Sequence, residues 1–209
     1  MNDSSVHSSL LMRVRADDPD GWRQLVHICG PLVQRWTRRT GLNEADAADV
    51  SQEVLRSVHQ NIQNFRRDAP ADSFRGWLWT ITQNKTLDFH RRRMRNPIAA
   101  GGTAACEQFQ ELPAAPEDAE LYDETLGMVR RALAILQGDF QPQTWQAFWR
   151  TAIDGVSADE AAAELKMSRG AVYVARSRCL VRLREELAGL VNLDRVISKS
   201  DLPVSKEGQ

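Results

Sequence analysis

Residues 157–184 of the chain read SADEAAAELKMSRGAVYVARSRCLVRLR and carry the start signals of two consecutive helices. Ser157 and Glu160 form a capping box, in which each side chain accepts a hydrogen bond from a free backbone amide of the other residue. Ser168 is placed to cap a second, longer helix. The apolar residues of that helix recur at helical spacing, as Val172, Ala175, Cys179 and Leu183. An alanine-rich helix, a three-residue turn and a longer basic helix form the layout of a helix-turn-helix.

The second helix of this pair carries basic residues beside its apolar stripe. When such a helix binds DNA, its N-terminal residues reach base edges and its flanks contact phosphates. The pattern therefore predicts a DNA-binding surface, although a solvated basic helix that only packs in a bundle fits it as well. The predicted DNA contacts are Ser168, Arg169, Tyr173, Arg176, Arg178 and Arg182.

The apolar spacing is helical along the rest of the chain as well, and strand alternation persists nowhere. This indicates an all-α fold. The first long helix is expected to begin at Asp20, which can cap it, and Gly41 is a suitable stop. Further helices are predicted at about residues 43–62, 73–95, 120–137 and 142–153.

Residues 96–121 interrupt the helical pattern with three prolines and a glycine pair. We expect this segment to be a flexible acidic linker. It separates two small helical domains, residues 10–95 and residues 122–191, each of which should be a compact bundle. Residues 192–209 are polar and are expected to form a disordered tail.

The composition excludes several classes of protein. The chain has 209 residues, and no apolar run approaches the roughly 18 residues of a membrane span. Residues 1–20 lack the basic and then apolar run of a signal peptide. The three cysteines are far apart, which argues against a zinc cluster or a disulfide framework. We therefore expect a cytoplasmic protein that is not an enzyme and uses no metal or cofactor.

The net charge of −1 conceals a segregated charge pattern. Residues 66–95 contain eight basic and three acidic residues. Residues 97–129 contain seven acidic residues and no basic one, and residues 166–184 contain six basic residues and no acidic one. Because the local field depends on local charge rather than on the sum, the two basic blocks remain compatible with nucleic-acid binding.

A stripe of carboxylates lies on the helix predicted for residues 43–62. Asp46, Asp49 and Glu53 fall on one side of this helix, with Gln52 close by. Such a stripe is usually a solvated surface. A metal site or acid–base catalysis is less attractive, because no histidine joins the cluster. A basic protein partner is the sharper alternative.

The helix predicted for residues 73–95 has one apolar face and one polar face. The face expected in the core consists of Phe74, Trp77, Leu78 and Ile81. Trp79 is expected to project away from that face. Its predicted neighbours there are Arg75, Thr82, Gln83 and Thr86.

An exposed tryptophan among polar groups offers a platform on which unpaired bases can stack. Asn84 has both a donor and an acceptor for a base edge. The basic residues that follow suit phosphates; they are Lys85, Arg91, Arg92, Arg93 and Arg95. Alternatively, Trp79 packs beneath the loop at residues 65–72, and the two interpretations are compatible.

Three segments in this order resemble the extracytoplasmic-function (ECF, group 4) sigma factors of bacterial RNA polymerase. They are DVSQEV at residues 49–54, SFRGWLWTITQNK at residues 73–85, and the helix-turn-helix with the residues before it at 154–185, after an acidic linker. The resemblance covers about residues 10–190.

The resemblance implies two helical domains, called sigma regions 2 and 4, joined by the flexible linker. It implies that the linker threads toward the active-site and RNA-exit channels of the polymerase. The aromatic-rich helix with Trp145, Phe148 and Trp149 is expected to contribute to the core, and a contact of one of these residues with the β flap is the alternative. The resemblance further implies that the carboxylate stripe binds the basic clamp helices of the β′ subunit of core RNA polymerase. The residues implied in that contact are Asp46, Asp49, Gln52 and Glu53.

The resemblance also implies two contacts with promoter DNA, both duplex and single-stranded. The helix after Ser168 corresponds to the reader of the −35 element. The loop at residues 65–74 and the helix through Asn84 and Lys85 correspond to the part that reads and melts the −10 element, where a non-template base is flipped out and held on the protein. The residues implied in the −10 contact are Phe65, Arg66, Arg67, Arg75, Trp79, Asn84, Lys85, Arg91 and Arg92.

Two other functions compete with a sigma factor. A stand-alone helix-turn-helix regulator would bind duplex operator DNA by itself, but it leaves the helix at residues 73–95 and the carboxylate stripe unexplained. A hydrolase or nuclease lacks a convergent set of catalytic residues or a glycine-rich phosphate loop. An anti-sigma protein is a further partner that the resemblance allows, although no residue in the sequence announces one.

Overall fold

In the computed structural model of the protein, the described residues are 9–66, 73–95, 118–191 and 193. Their regular structure is helical, without a strand, which confirms the all-α prediction. The α-helices of these residues are α1 (Leu10–Arg15), α2 (Pro19–Arg39), α3 (Glu44–Asn61), α4 (Phe74–Arg95), α5 (Asp118–Leu136), α6 (Pro142–Ala152), α7 (Ala158–Leu165) and α8 (Arg169–Glu186). None of these helices is long and apolar enough to cross a membrane.

The chain divides into two compact units. The first unit is residues 13–124, and the second combines residues 125–209 with residues 1–12. Most of the predicted linker, residues 96–117, lies outside the described residues, as does the predicted tail apart from Leu193.

The first unit is a bundle in which α2, α3 and α4 pack against one another. Asp18 caps α2 by accepting a hydrogen bond from the backbone N–H of Asp20, and Pro19 takes the first helical position. The prediction that Asp20 is the cap is therefore wrong. Proline lacks an N–H and has a helical φ, so it favours a helix that begins one residue after Asp18. Gly41, at φ 77°, follows α2 as predicted.

The core of the first unit is built from apolar residues of all three helices. α2 contributes the largest buried side chain, Trp36, which is fully buried. The other buried apolar residues of these helices include Leu25, Ile28, Leu32, Val33, Val50, Val54, Val58, Phe74 and Leu78. Apolar residues at helical spacing on all three helices thus face one shared core.

Helix α1 was not predicted from the sequence. Its residues Leu10 and Leu11 are buried and belong to the second unit, although the sequence placed them in the first domain. The Leu11 side chain lies close to Gly189, which has a φ of +83°. Glycine adopts this left-handed conformation without steric cost, and its missing Cβ leaves room for the leucine.

In the second unit, α6, α7 and α8 pack against one another. Small residues allow the helices to approach closely in a shared cluster of Ala147, Ala161, Ala162, Val172 and Ala175. The capping box between Ser157 and Glu160 is present, and Lys166, in the left-handed conformation, ends α7. Ser168 caps α8 by accepting from the N–H of Ala171. The helix-turn-helix prediction is confirmed at the level of structure.

Candidate protein and nucleic-acid interfaces

The carboxylate stripe lies on α3, where its members differ in their surroundings. Asp49 and Gln52 are exposed, whereas Asp46 and Glu53 are half-buried. Glu53 receives two hydrogen bonds from Arg92 of α4, at 2.8 Å (Nη2 to Oε2) and 3.3 Å (Nη1 to Oε1). Asp46 accepts from Nη1 of Arg93 at 2.6 Å. The stripe is therefore partly neutralised by arginines of the same chain.

The Glu53–Arg92 contact shifts the ionisation of both groups. The hydrogen bond from Arg92, aided by the positive charges of Arg92, Lys85 and Arg56, holds the pKa of Glu53 below its usual value. The same bond raises the pKa of Arg92. Both groups therefore remain charged near neutral pH.

Asp46 has a second task at the start of α3. Asn43 caps the helix by accepting from the N–H of Asp46 at 2.9 Å, and its Nδ2 donates to the Asp46 carboxylate at 2.8 Å. A substitution at Asp46 therefore changes a helix cap as well as a surface charge. Glu53 lies in the middle of α3 and has no such role.

The polar face predicted for α4 is mostly packed rather than exposed. Thr82 and Thr86 are buried, which contradicts their predicted exposure beside Trp79. The Thr82 hydroxyl donates to the carbonyl of Leu78 at 2.8 Å, so its polar atom is satisfied within the helix and its methyl group can enter the core. Conversely, Trp77 and Ile81 are only half-buried.

Trp79 is half-buried and contacts Trp36 of α2. The two rings meet edge to face, with centroids 4.9 Å apart and an interplanar angle of 79°. Such pairs contribute about 0.5–1.5 kcal/mol beyond the area that they bury. Trp79 is therefore half-buried rather than exposed, because it packs on Trp36.

Arg75 is also turned inward. Its side chain is 13% exposed and forms an ion pair with Glu124 of α5, whose side chain is 1% exposed. The Arg75 Nε donates to Glu124 at 2.8 Å, and Trp36 Nε1 donates to the other carboxylate oxygen at 2.7 Å. The guanidinium also lies over the Trp36 ring, 5.3 Å from its centroid. Sequence reasoning missed Glu124, and the only available signal was that a buried indole N–H needs an acceptor.

The remaining residues predicted for the −10 contact divide by exposure. Phe65 is 5% exposed and packs on Phe74 and Trp77, with ring centroids 5.5 and 5.1 Å away. Lys85 is half-buried. Arg66, Asn84, Arg91 and Arg92 are exposed, and Arg67 lies outside the described residues.

Helix α8 carries exposed basic residues from its start at Arg169 to its middle at Arg178. Arg169 lies 3.5 Å from Asp159 and donates to the Tyr173 hydroxyl at 3.3 Å. Tyr173, Arg176 and Arg178 are exposed, as is Ser168, whose hydroxyl caps the helix. Arg169, Tyr173 and Arg176 share one stripe of the second helix of the pair, the helix through which such proteins contact DNA, and Arg178 lies on another flank.

Arg182 differs from the other predicted −35 contacts. Its side chain is 14% exposed and donates to Glu186, which is almost fully buried, at 2.6 Å. It also lies 3.2 Å from Asp139. Two carboxylates thus hold the Arg182 guanidinium, which is mostly buried in the second unit. No group of three potential metal ligands occurs among the described residues.

The α7–α8 pair, with its exposed basic surface, places the chain in the class of helix-turn-helix proteins. Residues 25–96 match the family Sigma-70 region 2. The chain is 32% identical over 170 residues to the ECF RNA polymerase sigma factor SigE of Mycolicibacterium smegmatis. This match covers 80% of this chain and 62% of the relative. It is 29% identical over 192 residues to the ECF RNA polymerase sigma factor ShbA of Streptomyces griseus. That match covers 88% of this chain and 96% of the relative. Residues 25–96 thus match a region of the sigma-70 family, and over most of its length the chain is similar to ECF sigma factors.

The coverage of these relatives is uneven. The chain spans less than two thirds of the length of the Mycolicibacterium smegmatis relative. A solved structure of CnrH in complex with the cytosolic domain of CnrY is 25% identical, with 83% of this chain and 92% of that chain covered and a TM-score of 0.35.

Proposed function

We propose that this chain binds core RNA polymerase and directs promoter-specific initiation of transcription. The observation that carries the proposal is that one chain has an exposed basic helix-turn-helix and, in its other unit, a basic helix α4 beside the carboxylate stripe of α3. Its relatives are named as RNA polymerase sigma factors. A stand-alone regulator needs only the helix-turn-helix, and not the basic helix or the carboxylate stripe of the other unit.

The polymerase-binding surface that we propose is centred on Asp49 and Gln52. Both side chains are exposed on α3, so a basic partner can reach them. Gln52 accepts a hydrogen bond from Nη2 of Arg56 at 3.3 Å, and the partner has to replace this one contact. Asp46 and Glu53 complete the surface, but each first has to exchange its arginine partner. The clamp helices of the β′ subunit are the proposed partner, in line with the family resemblance. The β flap and an anti-sigma protein remain expectations of that resemblance alone.

For the −10 element, we assign the first contacts to the exposed residues Arg66, Asn84 and Arg91, with Lys85 beside them. Unpairing a base costs a few kcal/mol, and stacking on an aromatic ring returns about 1–3 kcal/mol per base. Phe65 and Trp79 are packed against other aromatic rings. For either ring to serve as the stacking platform, the packing of the first unit has to change.

For the −35 element, the proposed contacts are Arg169, Tyr173, Arg176 and Arg178. An arginine near the start of a recognition helix can bind guanine through two hydrogen bonds, and each such pair discriminates by about 1–3 kcal/mol. Arg182 is left out of this set because two carboxylates hold it.

A band-shift experiment separates the proposed function from its main rival. The purified chain is titrated onto duplex promoter DNA in the presence and absence of core RNA polymerase. We expect weak binding by the chain alone and a specific complex when polymerase is present. Tight, sequence-specific binding by the chain alone, unchanged by polymerase, would instead identify a stand-alone regulator. The proposed function places the protein in the cytoplasm, where RNA polymerase acts.

A further inference from the structure

Two ion pairs connect α3 to α4 on the surface of the first unit. Glu53 binds Arg92 through two hydrogen bonds, and Asp46 binds Arg93. The side chains are 31% and 59% exposed in the first pair, and 24% and 42% in the second. We call these two pairs the α3–α4 strap. The partners are 39 positions apart in the first pair and 47 in the second, so helix spacing does not create the contacts.

The strap joins two surfaces that the proposed function assigns to different partners. Its carboxylates belong to the stripe proposed to face the polymerase, and its arginines belong to the basic end of the helix proposed to face DNA. A carboxylate that binds an arginine of the same chain has fewer oxygen lone pairs for a basic partner. An arginine held in this way is likewise less available to a phosphate. Each partner therefore competes with the strap.

We infer that the α3–α4 strap is an exchange element that couples polymerase binding to promoter binding. Basic groups of the polymerase take over Glu53 and Asp46, and the released Arg92 and Arg93 then contact the phosphates of promoter DNA. The inference rests on the proposed function and deepens it. Because linkage is reciprocal, phosphates that occupy the arginines strengthen polymerase binding by the same factor.

The strap lies at the surface of the first unit, and this makes the exchange feasible. Exposed ion pairs typically change an equilibrium by only about two- to five-fold each, so a binding partner can displace them. The buried Arg75–Glu124 pair of the same unit is different, because its side chains are 13% and 1% exposed and separating them leaves uncompensated charge. The strap is therefore suited to exchange, whereas the buried pair is suited to holding structure.

The first test measures DNA binding by the full chain without polymerase. The variants are Glu53→Gln, which releases Arg92, and Asp49→Asn, which removes the same charge from the same helix. Asp49 is a suitable control because it is exposed and no cation pairs with it among the described residues. Binding of a short, fluorescein-labelled, mixed-sequence DNA duplex is followed by anisotropy over a range of salt concentrations.

For Glu53→Gln we expect an affinity about two- to five-fold higher than that of the wild type. The slope of log K against log salt should also steepen by about 0.9, the value for one additional phosphate contact. Asp49→Asn should leave the slope unchanged, because it releases no arginine. Equal slopes for the two variants would overturn the inference.

The second test measures the affinity of the full chain for core polymerase. Arg92→Gln frees Glu53 and should raise this affinity by about two- to five-fold. Arg91→Gln removes the same charge one residue away, where the partner is Asp88 of the same helix at 3.5 Å, and should raise it less. Equal effects of the two variants, or a loss with Arg92→Gln, would contradict the exchange. If the wild-type chain does not bind polymerase at all, the proposed function itself fails.

Discussion

Replacing Glu124 by alanine should strongly destabilise the first unit. Removing one partner of a buried ion pair costs about 3–5 kcal/mol, because the other charge is left uncompensated. The Arg75 side chain is 13% exposed, so water can partly solvate its charge. We therefore expect the loss of the ion pair to cost about 3 kcal/mol, the lower end of that range. The Trp36 indole also loses its acceptor, which adds about 1 kcal/mol. The total loss in the free energy of unfolding is about 4 kcal/mol.

Urea denaturation followed by tryptophan fluorescence measures this loss. With a slope of about 1.5 kcal/mol per molar urea, 4 kcal/mol lowers the midpoint of the first unit by about 2–3 M. The matched control is Glu44→Ala, which removes a carboxylate that also lies 2.8 Å from an arginine, Arg38, but is 85% exposed. The control should barely move the midpoint. Equal midpoints for the two variants would refute the argument that burial makes the Arg75–Glu124 pair important for stability.

Three further predictions concern α8, Trp79 and Glu53. Arg176→Ala should reduce initiation at promoters with an intact −35 element by about ten-fold or more. Arg182→Ala should mainly lower the thermal stability of the second unit. Equal thermal stability of the two variants would contradict the assignment of Arg182 to structure and Arg176 to DNA binding. Trp79→Ala should lower the free energy of unfolding by about 2–3 kcal/mol. It should also weaken closed and open promoter complexes alike. A loss confined to the open complex would instead show a direct role of Trp79 in melting. Because the pKa of Glu53 is lowered in the folded chain, its ion pair stabilises the fold above the ordinary value of 4.5 and loses this effect as the pH falls through the lowered pKa. Between pH 4.5 and that lowered pKa, the free energy of unfolding should therefore fall less steeply in Glu53→Gln than in the wild type, and parallel pH profiles would contradict the assignment.

Local signals in the sequence were sufficient for helices α2 to α8, which include the helix-turn-helix, but not for α1. The capping residues Ser157 and Ser168, the stop at Gly41 and the apolar stripe of α8 each depend on neighbours within a few positions. Such patterns can be recognised without knowledge of the tertiary structure. The start of α2 was misplaced by two residues because Asp18 and Asp20 are equally good caps by residue type, and only the position of Pro19 distinguishes them.

The surroundings of individual site residues were less predictable. Helix α4 packs on both α2 and α3, so its polar and apolar residues do not divide into one buried and one exposed face, and Thr82 and Thr86 are buried. Periodicity cannot reveal this, because a threonine hydroxyl can bond within its own helix.

Ion pairs between distant segments were missed for a different reason. Glu124 is 49 positions from Arg75, Glu53 is 39 positions from Arg92, and Asp139 lies in a different helical segment from Arg182. Each of these arginines was read as a DNA contact, because charge and helical position alone do not reveal a partner from elsewhere in the chain. For arginines that the structure leaves exposed, such as Arg66, Arg176 and Arg178, the sequence-based prediction of a basic surface needs no change.

Run-off transcription tests the central claim most directly. Purified core RNA polymerase is incubated with a library of promoter fragments, with and without this chain, and the transcripts are sequenced. The account predicts that the chain produces transcripts from a defined subset of promoters that share −35 and −10 elements, and that Asp49→Ala combined with Gln52→Ala weakens this activity. Absence of any promoter-dependent transcript, with polymerase that is active with another sigma factor, would contradict it.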